Sequence, residues 1–527
     1  MTTRKEHFNN LGGDWDVAII GGGATGLGTA VDAASRGYRT VLFESRDFAS
    51  GTSSRSTKLV HGGVRYLEQG DIPLVLEALR ERGLLHRNAP HLVHALPFIV
   101  PRYRWWEGPF FGVGLKLYDA LAGKLNLSPS RMLGREETLA RIPNIESENL
   151  LGGVEYYDGQ FDDARLAVSL VRTAESLGAV MLNHCPVTAI SKQGGMVNGL
   201  EVRDAETGRT FTVSARVVIN ATGIFADSIR HMDDPEAPPA VQPSQGVHIV
   251  LDRDFLQGDT AIMVPHTDDG RVLFVIPWHD RVLVGTTDTP MTAPDAEPRA
   301  LPEEVEFILR NAARYLARDP GPGDVRSVFA GQRPLVRPPR KDGTPTKAIS
   351  RNHEILVSDS GLVSIVGGKW TTYRQMAEDV VDAACGLAGF EERPCPTRTL
   401  KIHGCPSEYA APSAAWLAVY GTDAAGIEAL AGTDPALGMP LVEGLPYTRA
   451  SAVWAVRHES ARTVEDVLAR RTRALLLDAR AAAAAAGETA RLLAAELGRD
   501  AAWTDAQTRE FEKLASEYLL PGPGNAP

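Results

Sequence analysis

Residues 15–44 have the sequence WDVAIIGGGATGLGTAVDAASRGYRTVLFE. The apolar, β-branched run at 15–20 predicts a buried parallel strand, and the run that ends at Glu44 predicts a second one. Between them, the motif Gly21-x-Gly23-x-x-Gly26 precedes a segment of helical character. The order strand, tight turn, helix, strand is that of a βαβ unit. It predicts an α/β fold with a nucleotide site at the first turn.

The chemistry of nucleotide binding explains the residue types of this motif. The turn is tight, the backbone must approach a pyrophosphate closely, and the N-terminus of the helix offers unpaired N–H groups and a positive dipole. Glu44 is placed to accept hydrogen bonds from ribose hydroxyls. Because a plain glycine-rich turn has the same pattern, the prediction depends on the strands and the helix around the motif.

A second strand end carries a related signal. Residues 217–227, VVINATGIFAD, form a strand-like run that ends in Ala221-Thr222-Gly223. Together with the position of the first motif at the extreme amino terminus, this pattern favours FAD over NAD. For the second segment taken alone, an ordinary strand-ending turn is the alternative.

The composition excludes several classes of protein. The chain has 527 residues, 43% of them hydrophobic, and a formal net charge of −11. It is too apolar to be disordered, and its acidic balance argues against a general nucleic-acid binder. An anionic substrate therefore requires a local cluster of arginine and lysine. The 4 scattered cysteines predict neither a disulfide framework nor a metal site, and they suit a reducing compartment.

Changes in composition and periodicity along the chain predict two kinds of domain. Strand-like runs recur up to about residue 370, with helical stretches at 162–178 and 302–318, which indicates a large α/β body. From about residue 395 the chain becomes rich in Ala, Leu, Glu and Arg with helical periodicity, which indicates a separate helical domain. We expect no signal peptide and no transmembrane helix, since nowhere do 18 apolar residues follow one another.

Three longer strings carry a family resemblance. TSSRSTKLVHGGVRYLE at 52–68, GGKWTTYR at 367–374 and VRHESARTVEDVLARRTRALLLDAR at 456–480 resemble the FAD-dependent glycerol-3-phosphate dehydrogenases. The resemblance runs from about residue 14 to about residue 482. It implies oxidation of sn-glycerol 3-phosphate to dihydroxyacetone phosphate by hydride transfer to FAD, with reoxidation by a membrane quinone.

The resemblance also implies a domain arrangement. We expect an FAD-binding Rossmann-like domain of the glycine/D-amino-acid oxidase-like type over 14–385, interleaved with an α+β substrate domain at roughly 70–150 and 235–330. A helical C-terminal domain follows over 395–520. We expect the protein to be cytoplasmic and peripherally associated with the inner face of the membrane.

Oxidation of a phosphorylated secondary alcohol requires a hydride acceptor, a group that takes the hydroxyl proton, and cations that neutralise the phosphate. Predicted catalytic residues are His248, Arg333 and Lys369, where His248 or a group polarised by Arg333 takes the proton of the C2 hydroxyl. Predicted substrate-binding residues are Arg65, Tyr66, His248, Arg333, Arg351 and Lys369. A single arginine is more often a solvated or salt-bridged residue, and a lone strand histidine is more often a hydrogen-bonded core residue.

Further residues are predicted to bind the cofactor through the glycine motifs, the isoalloxazine-facing turns and the resemblance. These are Gly21, Gly23, Ala24, Thr25, Gly26, Glu44, Ser53, Ser54, Lys58, His61, Gly62, Gly63, Val187, Ala221, Thr222, Gly223, Asp227, Gly368, Lys369, Trp370, Thr371 and Thr372. No histidine or cysteine lies in a flavin-linking context, so we expect noncovalent FAD.

Membrane contact requires a surface, since a quinone dissolves in lipid. The stretch 98–127, FIVPRYRWWEGPFFGVGLKLYDALAGKLNL, interleaves aromatic residues with Arg and Lys, which suits a segment that lies in a membrane interface. An apolar core element with solvated ends is the alternative.

The charged residues of 456–480 predict a solvated, ion-paired helix face, with a docking surface for the flavin domain or a partner as the alternative. Two electron acceptors, quinone and oxygen, are compatible with the sequence, because an oxidase of the same family reduces oxygen to hydrogen peroxide. A flavin subunit of an anaerobic dehydrogenase and a flavin-containing RNA-modifying protein are further rivals. Oligomeric state, including a homodimer, is not determined.

Overall fold

The structure, a computed structural model, describes residues 4–63, 71–337, 353–407 and 414–521. The strands are β1 Trp15–Ile20, β2 Thr40–Phe43, β3 Leu59–Val60, β4 Val93–Arg102, β5 Arg131–Gly134, β6 Gly152–Phe161, β7 Val180–Leu182, β8 Val187–Gln193, β9 Met196–Arg203, β10 Thr210–Asn220, β11 Val241–Asp252, β12 Ala261–Val264, β13 Leu273–Trp278, β14 Arg281–Gly285, β15 Thr289–Pro290, β16 Ser327–Val336, β17 His353–Val357 and β18 Val363–Gly367.

The helices are α1 Arg4–Asn9, α2 Ala24–Ser35, α3 Ile72–Asn88, α4 Glu107–Ala122, α5 Arg135–Arg141, α6 Asp163–Ser176, α7 Ala226–Asp233, α8 Pro302–Ala313, α9 Tyr373–Ala388, α10 Ala424–Thr433, α11 Arg449–His458, α12 Ala474–Leu477, α13 Ala479–Ala484, α14 Ala486–Leu497 and α15 Ala501–Ser516. A π-helical segment, Asp466–Arg471, lies between α11 and α12. In the described part of the chain, no helix is both long and apolar enough to cross a bilayer.

The first sheet has the strand order β17-β18-β10-β1-β2-β7 among the described residues. Its five strands from β18 to β7 run parallel, and β17 pairs antiparallel at one edge. Apolar side chains of α2, α6 and α9 pack on one face, while the hairpin of β8 and β9 with the first half of β10 covers the other. The predicted βαβ unit is confirmed, and both faces of β1 are buried because both are covered.

The second sheet has the order β15-β11-β14-β13-β12-β4-β6-β3, with β16 beside β11 and β5 beside β6. Most of its neighbouring strands are antiparallel, whereas β12 and β4 are parallel. Its strands come from 59–60, 93–161 and 241–336, so the chain passes repeatedly between the two sheets. Apolar residues of α8 pack on one face of this sheet.

The C-terminal helices pack against the other face of the second sheet. Phe98, Leu283 and Phe329 belong to the same buried cluster as Leu475 and Leu493. The fold is therefore an α/β body of two sheets with an appended helical domain, as predicted, and the core of that domain is continuous with the sheet. The exact limits of the predicted domains stay a prediction.

The expected solvated charge face in the C-terminal domain is wrong for most of its residues. Glu459, Asp466, Arg470, Arg471 and Arg473 are each at most 3% exposed. Each is buried because it meets an opposite charge, often from the α/β body, as in the pairs Arg165–Glu459, Asp47–Arg471 and Asp162–Arg473. Thus the alternative, a docking surface toward that body, describes this segment.

Candidate active site

Four strand ends of the first sheet meet at one edge and form a cleft. The cleft has a volume of about 410 Å³ and lies beyond the carboxyl ends of β1, β2, β10 and β18. In parallel α/β sheets this edge is where nucleotides bind, because helix N-termini and strand-ending turns converge there. The predicted residues Arg65, Tyr66 and Arg351 lie outside the described residues.

Two glycines of the first motif are required by close backbone contacts. Gly21 has φ +106°, and a Cβ at this position would lie 2.7 Å from the carbonyl oxygen of Ala221. A Cβ at Gly26 would lie 1.9 Å from the carbonyl oxygen of Gly21. The turn therefore closes only with glycine, and it brings the N-terminus of α2 to the cleft. The first turn of α2 has no acidic residue, so its dipole remains available to an anion.

Hydrogen bonds hold the walls of the cleft together. The Gly22 N–H donates to Glu44 Oε2 at 2.7 Å, and the Ala24 N–H donates to Ser53 Oγ at 2.9 Å. The indole N–H of Trp370 donates to the Ser53 carbonyl oxygen at 2.8 Å. Ser53 thus links the first glycine motif to the GGKWTTYR motif, although the two are far apart in sequence.

Lys369 reaches the cleft because the chain turns sharply after β18. Gly367 and Gly368 have φ +81° and +84°, a left-handed conformation that favours glycine. A Cβ at Gly368 would also lie 2.2 Å from Met376 Sδ. The two glycines place Lys369 directly before the helical turn of Trp370.

The described lining of the cleft contains many of the predicted cofactor residues. They are Gly21, Gly23, Ala24, Thr25, Glu44, Ser53, Val187, Ala221, Thr222, Gly223, Gly368, Lys369 and Trp370. Other lining residues were not predicted as cofactor contacts; they include Arg46, Ala49, Ser50, Gly51, Thr52, Phe225, Ala296 and Pro334. For residues 46–52, the position directly after Glu44 is the sequence feature that indicates a place near the cofactor.

The remaining predicted cofactor residues do not line this cleft. They are Gly26, Ser54, Lys58, His61, Gly62, Gly63, Asp227, Thr371 and Thr372. Lys58 is fully buried, and its ammonium donates to both oxygens of Asp163 at 2.8 Å. The Asp227 carboxylate accepts hydrogen bonds from the backbone N–H groups of Ala240 and Val241. These two side chains hold the framework in the structure, and their contact with the cofactor stays a prediction.

The turn at His61 and Gly62 is tied to the neighbouring elements. The His61 N–H donates to Thr371 Oγ1 at 3.3 Å, and the Gly62 N–H donates to the Tyr118 hydroxyl at 2.8 Å. The Tyr118 hydroxyl in turn donates to Asp158. Burial, together with the negative charge of Asp158, raises the pKa of Tyr118 well above its ordinary value, so this hydroxyl stays protonated.

His248 and Arg333 lie on one face of the second sheet. His248 is on β11, and Arg333 on β16 is directly opposite Ser244, four residues earlier on β11. Side chains an even number of positions apart share a face, as do directly opposed residues. A Cβ at Gly246, between Ser244 and His248, would lie 2.4 Å from Arg333 Nη2. Because Gly246 has no side chain, the guanidinium of Arg333 lies in the space that a Cβ would fill.

The His248 ring is held from several sides. It is 2% exposed, stacks on Phe329, and leaves no room for a side chain at Gly285, where a Cβ would lie 2.2 Å from His248 Cδ2. Its Nε2 is 2.9 Å from Thr57 Oγ1, while Nδ1 has no hydrogen-bond partner among the described residues. Burial, then the charges of Arg333 and Lys58, lower the pKa of His248 well below 6.5, so the imidazole is neutral near pH 7.

The cleft suits a dinucleotide cofactor. It combines a glycine turn without space for side chains, the N-terminus of α2 for a pyrophosphate, and a carboxylate at the end of β2 for a ribose. These are the features that FAD requires, and Gly21, Ala24 and Glu44 are the residues that would hold it.

Comparison with known proteins agrees with this chemistry. The family model described as FAD dependent oxidoreductase matches residues 16–374, and the model for the C-terminal domain of alpha-glycerophosphate oxidase matches residues 362–507. The mitochondrial glycerol-3-phosphate dehydrogenase of Macaca fascicularis is 40% identical over 96% of this chain and 73% of its own length. A probable mitochondrial glycerol-3-phosphate dehydrogenase of Caenorhabditis elegans is 41% identical over 98% of this chain and 75% of its own length.

Solved structures give the same result. The glycerol-3-phosphate dehydrogenase of Bacillus halodurans, solved in complex with FAD, has a TM-score of 0.80 and 30% identity, and the match covers 99% of this chain and 98% of that one. Glycine oxidase of Geobacillus kaustophilus shares the fold, with a TM-score of 0.52 and 22% identity over 75% of this chain and all of its own. The chain therefore belongs to the family of FAD-dependent glycerol-3-phosphate dehydrogenases.

Proposed function

We propose that this protein oxidises sn-glycerol 3-phosphate to dihydroxyacetone phosphate with FAD and passes the electrons to a membrane quinone. The observation that carries the proposal is that a neutral, buried His248 shares one sheet face with Arg333, in a chain whose relatives, matched over 96% of its length, are glycerol-3-phosphate dehydrogenases. A neutral imidazole beside a fixed cation is a suitable acceptor for the proton of a secondary alcohol.

His248 takes the proton of the C2 hydroxyl in this mechanism. FAD, when bound, supplies the hydride acceptor. The lowered pKa makes His248 a weaker base, but it also keeps the ring unprotonated at neutral pH. Thr57 and Phe329 fix the orientation of the ring, so that little motion is needed for the transfer.

Arg333 stabilises the negative charge that develops on the substrate oxygen. Its guanidinium also donates to Thr286 Oγ1 and to the Thr287 carbonyl oxygen, both at 3.2 Å, and lies 3.4 Å from Asp288. Such contacts hold the planar group in one orientation before substrate arrives. Lys369, together with the predicted Arg65, Tyr66 and Arg351, binds the phosphate.

The cofactor is held noncovalently by the cleft. The N-terminus of α2 and the turn from Gly21 to Thr25 bind the pyrophosphate, and Glu44 binds a ribose. Val187 and Ala221 to Gly223 line the opposite side, and Gly368 to Trp370 approach the ring system.

The helix α4 supports contact with a membrane. Phe110, Val113 and Leu117 recur along one face of α4 and are 53%, 72% and 46% exposed, and the preceding Trp105 and Trp106 are 80% and 36% exposed. The other face is core, as the burial of Leu115 and Tyr118 shows. We propose that this apolar face lies in the headgroup region of the inner face of the cytoplasmic membrane, where a quinone is accessible.

The alternative is an oxidase that passes the electrons to oxygen and produces hydrogen peroxide. This alternative is supported by the match of residues 362–507 to a family model named for alpha-glycerophosphate oxidase. The two candidates share substrate and flavin, so only the reaction of the reduced flavin separates them.

Anaerobic mixing of the FAD-loaded protein with sn-glycerol 3-phosphate tests the proposal. We expect the flavin absorbance to bleach, to recover slowly in oxygen and to recover rapidly with a soluble quinone. Rapid recovery in oxygen with peroxide formation would establish the oxidase. An absence of bleaching would show that the substrate assignment is wrong.

A further inference from the structure

One wall of the cofactor cleft is an irregular segment, residues 44–53, which we call the wall loop. Most of its side chains or backbone atoms line the cleft, from Glu44 to Arg46 and from Ala49 to Ser53. Asp47 does not line the cleft, and it is fully buried behind it. Because bends and turns follow β2 until Thr52, the wall loop lacks the hydrogen-bond ladder of a strand, and other contacts must fix its shape.

The carboxylate of Asp47 makes several of those contacts, besides hydrogen bonds within the α/β body such as that from the Ala49 N–H to the Gly22 carbonyl oxygen at 2.9 Å. Its Oδ2 accepts from Arg470 Nε at 2.5 Å and from Arg471 Nη1 at 2.6 Å. Its Oδ1 accepts from Arg471 Nη2 and from Asn183 Nδ2, both at 2.9 Å. Three of these four hydrogen bonds join opposite charges, and all four are shielded from water, so Asp47 is held strongly in place.

Both arginines come from the C-terminal domain. Arg470 is 3% exposed and Arg471 is fully buried, and the π-helical segment Asp466–Arg471 carries both. Arg470 also donates to Asp466 Oδ1 at 2.9 Å, and Arg471 donates to the Glu459 carbonyl oxygen at 2.7 Å. The two guanidinium groups are therefore fixed within their own domain before they contact the wall loop.

A second contact joins the same two parts. His184 Nε2 is 2.9 Å from Asp466 Oδ2, and the His184 backbone N–H donates to the Arg46 carbonyl oxygen at 2.6 Å. Burial lowers the pKa of His184, but the charge of Asp466, its hydrogen bond to the ring and the charge of Asp47 together outweigh burial and raise the pKa above its ordinary value. The wall loop is thus linked to the C-terminal domain through a side chain of its own and through a neighbouring residue.

The same cluster resembles a metal site in composition. Ligand atoms of Asp47, His184 and Asp466 all lie within 4.8 Å of one another. However, the carboxylates already accept from Arg470 and Arg471, whose positive charges occupy the place that a cation would need. The cluster is a network of ion pairs between domains.

We propose that the C-terminal domain is a working part of the cofactor site: through Arg470 and Arg471 it holds Asp47, and thereby the wall loop, in the shape that binds FAD. Without this anchor the wall loop samples other conformations in the apoprotein, and binding of FAD must then restrict them again. That ordering cost reduces the affinity for FAD, as for any site whose competent conformation is only partly populated. Asp47 is a positioning residue, since it does not face the cleft.

The test compares Asp47→Asn with a matched variant, Glu459→Gln. Glu459 is a buried carboxylate, 3% exposed, and its side chain pairs with both Nη atoms of Arg165 at 2.7 and 2.8 Å, so it also joins the C-terminal domain to the body. Each substitution removes one charge from a buried ion pair between domains and is nearly isosteric. Only Asp47 belongs to the wall loop. The Kd for FAD is measured by titration of the apoprotein, followed by flavin fluorescence, and global stability is measured by circular dichroism.

We expect both variants to unfold at lower temperature than the parent protein, because each leaves a buried charge without its partner. We expect the Kd for FAD to rise about tenfold or more in Asp47→Asn and to stay within about twofold in Glu459→Gln. Equal changes of Kd in the two variants, or an unchanged Kd in Asp47→Asn, would overturn the proposal.

If Asp47→Asn does not fold, Arg470→Gln replaces it. This change removes one of the two arginines that bind Asp47 and leaves the two hydrogen bonds from Arg471 in place. A smaller rise in the Kd for FAD, accompanied by release of flavin below the temperature of global unfolding, supports the proposal. If Arg470→Gln has the same Kd for FAD as the parent protein and releases flavin only as it unfolds globally, the proposal is contradicted.

Discussion

His248 and Phe329 are opposite each other on β11 and β16, and their rings stack with centroids 5.1 Å apart and an interplanar angle of 18°. The stacking and the contact with Gly285 leave the imidazole one plane in which to lie. The residue proposed to move the substrate proton is therefore positioned by the sheet itself.

Removal of this imidazole should affect the chemical step. We expect His248→Ala to slow flavin reduction by sn-glycerol 3-phosphate by a factor of about 10² to 10⁴, the usual contribution of a general base. The spectrum of the bound flavin should stay unchanged. Rapid mixing under anaerobic conditions measures the rate. A variant with weaker substrate binding and an unchanged rate of reduction would show that His248 is not the base.

Thr57 should act through His248. We expect Thr57→Val to lower kcat/KM about tenfold, since the valine has nearly the same shape but cannot hydrogen-bond to Nε2 and fix the tautomer. Thr57→Ser keeps the hydroxyl and should restore most of the activity. Steady-state kinetics with a soluble quinone measure both. If valine and serine reduce activity equally, the methyl group of Thr57 matters and the hydrogen bond does not.

The pH dependence of the reaction should reflect the lowered pKa of His248. The acid limb of kcat/KM should lie below pH 6.5, because the buried ring stays neutral where an ordinary histidine is already protonated. The same lowered pKa makes folding stability depend on pH. The unfolded chain binds this proton more readily than the folded protein, so acidification below pH 6.5 favours unfolding.

Arg333→Met should move the acid limb of kcat/KM to higher pH, since one of the charges that lower the pKa of His248 is removed. Arg337→Met, at an exposed position just after β16, should leave the limb in place.

Gly246→Ala should displace Arg333. The new methyl group would lie 2.4 Å from Nη2, so the guanidinium must leave its position. We expect kcat to fall about tenfold or more, with FAD still bound, because a cation beside the developing charge is lost. Gly323→Ala is the control, since a Cβ there meets nothing within 4 Å. Kinetics and flavin content are measured on both, and equal activity of the two variants would contradict the role of Gly246.

The apolar face of α4 should govern membrane binding. Replacement of Trp105, Trp106, Phe110 and Val113 by serine should abolish sedimentation with lipid vesicles while dye-linked activity remains, because the burial of apolar area in the interface is lost. The control replaces three residues of similar exposure on other elements, Val357, Leu387 and Met439 at 50%, 46% and 51%. Unchanged partitioning of the α4 variant, or equal loss in the control, would reject this surface.

The sequence predicts the parts of this protein that depend on local rules. The turn at Gly21 and the strand end at Glu44 follow from short-range sterics and from the alternation of strands and helices, so their neighbourhood can be inferred from a few residues. The helical stretch predicted at 162–178 is confirmed by helix α6, Asp163–Ser176.

Other features depend on pairs that are distant in sequence. Arg471 and Asp47 are 424 residues apart, and a run of arginines in a helical segment is normally solvated, so the sequence favoured the wrong environment. Lys58 lies in a string from which a cofactor contact is predicted, but its ion pair with Asp163 becomes visible only in the fold. Sequence patterns identify which residues are charged, whereas tertiary packing decides which charge they meet.

The continuous core between the second sheet and the C-terminal helices has a consequence for biosynthesis. Phe98, Leu283 and Phe329 share one buried cluster with Leu475 and Leu476 of α12, which the ribosome adds after all the strands of that sheet. Until α12 emerges, the apolar side chains on that face of the sheet lack this cover, which favours aggregation. Nascent chains of this protein therefore carry an exposed apolar surface between the synthesis of β16 and that of α12.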